Sequence, residues 1–204
     1  RANDQISLVT FAAVPETVAP LTPNHSVLLK VIGELQPKAG LDAGTNIGDA
    51  LGLALAGFDA MAKNDDRRKK VLVLLSDGEH NREGDKVLRP LQAAQLAEKL
   101  GVPIYTIDCG GDGASGTPDE RKQRADGRAM LEDVAKLSGG RSFVANNPDE
   151  LRQAFAEIDQ LEKVTVESYR YRKYHPFNIG CGLGAVACVL AAGVLERTIW
   201  RRLP

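Results

Sequence analysis

Residues 71–75, VLVLL, constrain the fold more than any other part of the sequence. Five apolar residues in succession leave no polar face, so a strand here has to be covered by helices on both sides. That is the pattern of a central strand in a parallel sheet, and the flanking segments continue it. Residues 6–12 (ISLVTFA) form a short β-branched run, and residues 17–22 a second strand that Pro15, Pro20 and Pro23 confine to an edge. Asn24 is placed to cap a helix whose face carries Val27, Leu28, Val31, Ile32 and Leu35. After a loop over 37–46, a second helix carries Ile47, Leu51, Ala54, Leu55 and Phe58 on one side. The charged run at 63–70 reads as a solvated turn. Pro90 suits the first turn of a helix that ends at Gly101. Residues 103–108 (PIYTID) are the next strand, 110–124 a long Gly- and charge-rich loop, and 125–138 a helix stopped by Gly139 and Gly140. Residues 141–145 are a last strand. Asn147 and Pro148 then open a helix bearing Leu151, Ala154, Phe155, Ile158 and Leu161. Strands separated by helices predict right-handed crossovers and a doubly wound, mostly parallel α/β sheet with helices on both faces.

The 204 residues, 43% of them apolar, suffice for one such domain and an appendage. With 26 basic and 27 acidic side chains the net charge is −1, which gives no electrostatic case for binding nucleic acid. Cys109, Cys181 and Cys188 lack metal-ligand spacing, and His25, His80 and His175 are scattered. The chain begins at Arg1 with no leader-like segment near it, and its natural start is expected upstream.

The appendage has its own logic. Residues 177–195 (FNIGCGLGAVACVLAAGVL) carry no charge. As a helix at ~1.5 Å per residue this run measures roughly 28 Å, close to the ~30 Å hydrocarbon core of a bilayer. Tyr169, Tyr171 and Tyr174 precede it and Trp200 follows, as interfacial aromatics do. A buried core helix is the competing interpretation, but such a helix seldom lacks a polar face over this length. The expected organisation is a domain over 1–163, a stalk over 164–174, and a single transmembrane helix with a short basic tail over 175–204. Gly180, Gly184, Cys188 and Ala192 recur every four residues, either as a helix-association face or because small residues are common in membrane helices. Three basic residues flank each end, so charge leaves the orientation tied.

Two segments carry candidate chemistry. In LLSDGEHN (74–81), Asp77 stands just past a strand end, where open α/β sheets bind ligands. A carboxylate there can hold a hard cation, or serve ordinary Asp-Gly turn chemistry. In DAGTNIGDAL (42–51), Thr45 precedes a helix, as its cap or as a hydroxyl ligand. Asp49 is expected to be a solvated helix residue, Cys109 a buried structural thiol and His80 a surface loop residue. No Gly-rich phosphate loop and no Ser/His/Asp set is present.

The order ISLVTFA, GTNIGDALGLAL, KVLVLLSDGEHN, GVPIYTIDCG, LSGGRSFVA resembles a von Willebrand factor A (VWA) domain, and more narrowly the membrane-anchored bacterial Bat (aerotolerance-type) proteins. The resemblance implies a metal-ion-dependent adhesion site (MIDAS) for Mg²⁺, Mn²⁺ or Ca²⁺, with ligands from an Asp-x-Ser-x-Ser motif, a Thr in a second loop and an Asp in a third. Thr45 and Asp77 match the second and third elements, with Ser76 where the family usually has Thr. The first element is absent, along with the first strand and helix of the fold. It lies upstream of Arg1 or has been lost, and the persistence of Thr45 and Asp77 favours the former. The resemblance further implies sister VWA proteins and a MoxR-type ATPase as partners, an extracytoplasmic domain, and binding without catalysis. Two alternatives remain: a metal-dependent hydrolase using Asp77, and a structural domain without metal function.

Overall fold

The computed structural model describes residues 4–38, 44–62, 69–79, 87–111, 117–163 and 193. The chain divides into two units, Arg1–Glu162 and Lys163–Pro204. The uncharged run at 177–195, apart from Gly193, the stalk, His80, Cys181 and Cys188 lie outside the described residues. No described helix is long and apolar enough to cross a membrane.

In the first unit the order is β1 (Ile6–Thr10), β2 (Glu16–Thr22), α1 (His25–Glu34), α2 (Ile47–Ala62), β3 (Leu72–Ser76), α3 (Pro90–Leu100), β4 (Ile104–Asp108), α4 (Pro118–Leu137), β5 (Ser142–Val144) and α5 (Pro148–Lys163). β3, β4 and β5 form a parallel sheet in that order. β1 and β2 pair antiparallel as a separate ribbon. Leu8 faces Ala19 while Ile6 faces Thr22, so β2 carries an extra residue across the exposed Pro20, where the missing N–H removes a ladder bond.

Side-chain alternation explains the layering. Leu72 and Leu74 of β3 and Ile104 of β4 enter a core with Ile47, Leu51 and Leu55 of α2, Ala93, Ala94 and Ala97 of α3, and Leu131 and Val134 of α4. Val71 and Val73, with Tyr105 and Ile107, face the other way, onto Leu151, Ala154 and Ile158 of α5. The apolar run is thus covered on both sides over 71–74, while Leu75 at its carboxyl end is exposed. Burying each Leu or Ile fully is worth about 1.5–3 kcal/mol. On the α5 side, the Tyr105 hydroxyl donates to Glu162 Oε1 at 2.6 Å, and the Lys69 ammonium lies 2.7 Å from Glu162 Oε2. Burial, then the hydrogen bond to Glu162 and its charge, push the Tyr105 phenol up to about 12.

Several expectations change. β3 is the edge of the three-stranded sheet, and β4, buried at every residue, is its centre, because β4 is paired on both sides. α4 begins at Pro118, so residues 118–124, expected in a loop, are helical. The Thr117 hydroxyl accepts from the Glu120 amide while the Glu120 side chain accepts from the Thr117 amide, a reciprocal cap with Pro118 at the first position. Asn24 occupies the N-cap position of α1 but makes no capping bond; its Oδ1 accepts from the Ser26 hydroxyl instead. On the expected apolar face of α1 only Leu28 is buried, while Val27, Ile32 and Leu35 are exposed. Asn147 does cap α5, its Oδ1 accepting from the Asp149 and Glu150 amides.

Candidate metal centre at the carboxyl edge of the sheet

Parallel register brings the carboxyl ends of all three strands to one edge. Ser76 lies opposite Asp108, and Asp108 opposite Val144. The Cys109 amide donates to the Ser76 carbonyl at 2.9 Å, and the Ala145 amide to the Asp108 carbonyl at 2.9 Å, so the pairing runs on into the loops.

Asp77 is the first residue beyond β3, and it is exposed. Its Oδ1 accepts from the Glu79 amide at 3.1 Å, and Ser76 Oγ accepts from the Gly78 amide at 3.1 Å. These two bonds shape a tight turn that the sequence reading as plain turn chemistry also anticipates. Gly78 has φ +83°, and a Cβ there would meet the Gly127 carbonyl carbon at 2.6 Å. The turn therefore packs backbone against backbone on α4, and a side chain at either glycine would clash with the other.

Thr45 is half-buried immediately before α2. The adjoining Asn46 anchors this loop: its amide donates to the Ala12 carbonyl at 3.0 Å, and its Oδ1 accepts from the Asp49 amide at 3.2 Å. Asp49 is not a solvated helix residue. It is partly buried, Oδ2 accepting from Asn46 Nδ2 at 2.7 Å and Oδ1 from the Leu88 amide at 2.9 Å. Both its oxygens are committed to holding the Thr45 loop and the start of α3 together. Cys109 is likewise corrected, from buried to exposed. Partial desolvation of its sulfur and the charges of Asp108 and Asp77 raise the thiol pKa, which disfavours the nucleophilic thiolate at neutral pH.

The residues missed by the sequence reading are Asp108, Arg124 and Arg128. Asp108 ends β4 and is 1% exposed, a burial that an isolated carboxylate does not tolerate. Arg128 Nε donates to its Oδ2 at 2.8 Å, Arg124 Nη2 donates to Oδ1, and the Gly110 amide donates to Oδ1 at 3.0 Å. Burial raises the Asp108 pKa, but the Gly110 amide and the two guanidinium groups outweigh it and hold the carboxyl below the usual carboxylate range. Positions 124, 127, 128 and 131 share one face of α4, which is why both arginines and Gly127 meet the sheet edge together.

Among the described residues no three His, Cys, Asp or Glu side chains cluster to hold a metal. The two ligands expected from the sequence, the Asp77 carboxylate and the Thr45 hydroxyl, are both oxygens, the donor type a hard cation takes. A groove of about 470 Å³ opens beside the Asp77 turn, lined by Glu79, Lys122, Asp126 and Met130 among others.

A parallel sheet clad by helices, with an exposed acidic turn at its carboxyl edge, defines an α/β domain of the doubly wound class. Residues 1–157 match the von Willebrand factor type A domain, and the chain belongs to that family. It is 32% identical over 206 residues to a UPF0353 protein of Mycolicibacterium paratuberculosis, covering 98% of this chain and 59% of that protein. It is 27% identical over 216 residues to a UPF0353 protein of Nocardia farcinica, covering 98% of this chain and 61% of that one. The chain thus spans about three-fifths of the length of these relatives. Among solved structures, the fold is similar to the conserved hypothetical protein BatB of Bacteroides thetaiotaomicron (TM-score 0.62, 22% identity, 79% of this chain and 80% of that one). It is also similar to an aerotolerance-related membrane protein of Bacteroides fragilis (TM-score 0.60, 21% identity, 79% and 80%).

Proposed function

We propose that this chain is the protein-interaction module of a membrane-anchored protein, and that it engages its partner through a divalent cation held at the carboxyl edge of the sheet. Asp77 and Thr45 supply oxygens to Mg²⁺, or to Mn²⁺ or Ca²⁺ in its place. The observation that carries this is the exposed Asp77 carboxylate on a turn braced from two sides, by β4 and by α4. Two protein oxygens fall short of the roughly six that Mg²⁺ takes. The remainder come from an Asp-x-Ser-x-Ser segment upstream of Arg1, from water and from a carboxylate of the partner. A bound cation supplies the attraction for that carboxylate, and no bond is broken.

Binding is favoured over hydrolysis by the state of the neighbouring acid. Asp108 is buried, ion-paired twice and held ionised, so it is a poor general base. The run at 177–195 serves as the membrane anchor, with the domain outside the cytoplasm. Sister VWA proteins and a MoxR-type ATPase are the proposed partners.

Calorimetric titration with Mg²⁺ tests the site. Residues 1–204 alone are expected to bind weakly or undetectably, and a protein extended to include the upstream motif to bind with an affinity that Asp77→Ala or Thr45→Ala abolishes. Tight binding by the extended protein that survives Asp77→Ala would refute the assignment.

A further inference from the structure

Arg124 is the most heavily engaged side chain at the carboxyl edge. Its Nη1 donates to the Asp77 carbonyl at 2.6 Å, its Nε to the Gly110 carbonyl at 3.2 Å, and its Nη2 to the Gly111 carbonyl at 3.3 Å as well as to Asp108 Oδ1. The side chain is only 15% exposed. One planar group thus joins three chain segments: the turn after β3, the loop after β4, and α4 itself. A second observation shows that space is kept for it. A Cβ at Gly110 would lie 2.5 Å from the Arg124 guanidinium carbon, although Gly110 has no left-handed backbone that would call for glycine.

We propose that Arg124 is a positioning residue, which locks the Asp77 turn and the 109–111 loop into one rigid frame anchored on the buried Asp108 carboxylate. The geometry needs arginine. A guanidinium presents five donors in a fixed plane, whereas the single ammonium of lysine cannot span four acceptors spread over two loops and the end of β4. Asp108 fixes the guanidinium, Arg128 supports Asp108 from its other oxygen, and the guanidinium fixes the main chain of Asp77. The carboxylate of Asp77 is then presented from a frame that does not have to be ordered when a ligand arrives, which lowers the cost of binding. This functional meaning rests on the assignment of Asp77 as the cation-holding acid, but the lock itself does not.

Amide hydrogen exchange of the 204-residue chain without cation tests the lock. The Gly78 and Glu79 amides report on the turn, and Thr106 and Ile107, inside β4, serve as the internal reference. Arg124→Ala, Arg124→Lys and Gly110→Ala are each expected to speed exchange at Gly78 and Glu79 by about tenfold or more beyond any acceleration at Thr106 and Ile107. Gly110→Ala is the sharpest of the three, because it keeps both charges and only displaces the guanidinium. Unchanged exchange at Gly78 and Glu79, or an acceleration shared equally by Thr106 and Ile107, overturns the proposal. So does wild-type exchange in Arg124→Lys, since charge alone would then suffice. The calorimetric comparison of Asp77→Ala decides the cation assignment separately, so failure of either is distinguishable from failure of the other.

Discussion

Asp108 shows how much a single residue can carry without announcing itself. A carboxylate ending an otherwise apolar strand is visible in the sequence, but its partners stand 16 and 20 residues downstream, and nothing in a linear reading pairs them. The sign of its effect on stability follows from its depressed pKa. The folded value lies below the unfolded one of about 3.9. Its contribution is therefore present in full above about pH 4 and is lost as the pH falls through the folded value. Asp108→Asn leaves two guanidinium groups facing a neutral amide and is expected to cost about 3 kcal/mol at neutral pH. Urea unfolding across a pH series should show the gap between wild type and variant closing below about pH 4. A gap that stays constant into acid would contradict the assignment. Thr45 and Asp77, by contrast, could be placed from the sequence alone, just before α2 and just past β3, because each sits in a short motif at the edge of a recognisable element.

Elements were legible wherever apolar periodicity marked them. α2 buries Ile47, Leu51 and Leu55 as its spacing requires, and α3 starts at Pro90 and ends at Gly101 with φ +66°. α4 was only half legible. Its first two turns, PDERKQR, have no apolar stripe, so hydrophobic spacing sees the helix only from Ala125. The signal that would have found the start is the Thr117–Glu120 capping box with Pro118 between, a polar signature. Losing those turns also hid Arg124, which reaches the sheet only if its segment is helical. Gly127 sits inside this helix, where propensity alone makes alanine better by about 1 kcal/mol. The structure predicts the opposite. A Cβ at 127 would lie 2.6 Å from the Gly78 carbonyl oxygen, backbone against backbone, with no flexible side chain to give way. Gly127→Ala is expected to lower stability by about 1–3 kcal/mol. A higher melting temperature for that variant would show that the turn and α4 do not pack as described.

At the scale of the whole domain, the strands divide into two sheets, in keeping with the exposed edge that a missing first central strand implies. β1 is paired only with β2, and β3 only with β4, so each has a free edge among the described residues. Yet the two sheets share one core: α2 packs on β1 and β2 through its contacts and on Leu72 and Leu74 of β3, and Phe11, just beyond β1, joins the same cluster. The run at 71–75 reads as a central strand because it is apolar on both faces, and apolar faces say nothing about whether both edges are paired. That is why the sequence could place β3 in the sheet but not at its rim. We propose a common resolution for the unpaired edges and for the exposed Val27, Leu29 and Ile32 of α1 with Leu35 just beyond it. A strand and helix from upstream would pair between β1 and β3, unite the two sheets, and bring its Asp-x-Ser-x-Ser oxygens to the same carboxyl edge as Asp77. The protein extended upstream is then expected to melt at a temperature several degrees higher than residues 1–204, as about 1–2 kcal/mol of added stability does for a domain of this size. Its β1 and β3 amides should also exchange more slowly. If extension leaves both the melting temperature and the exchange of Leu8 and Val73 unchanged, the added segment does not complete this sheet, and the cation site has to be built without it.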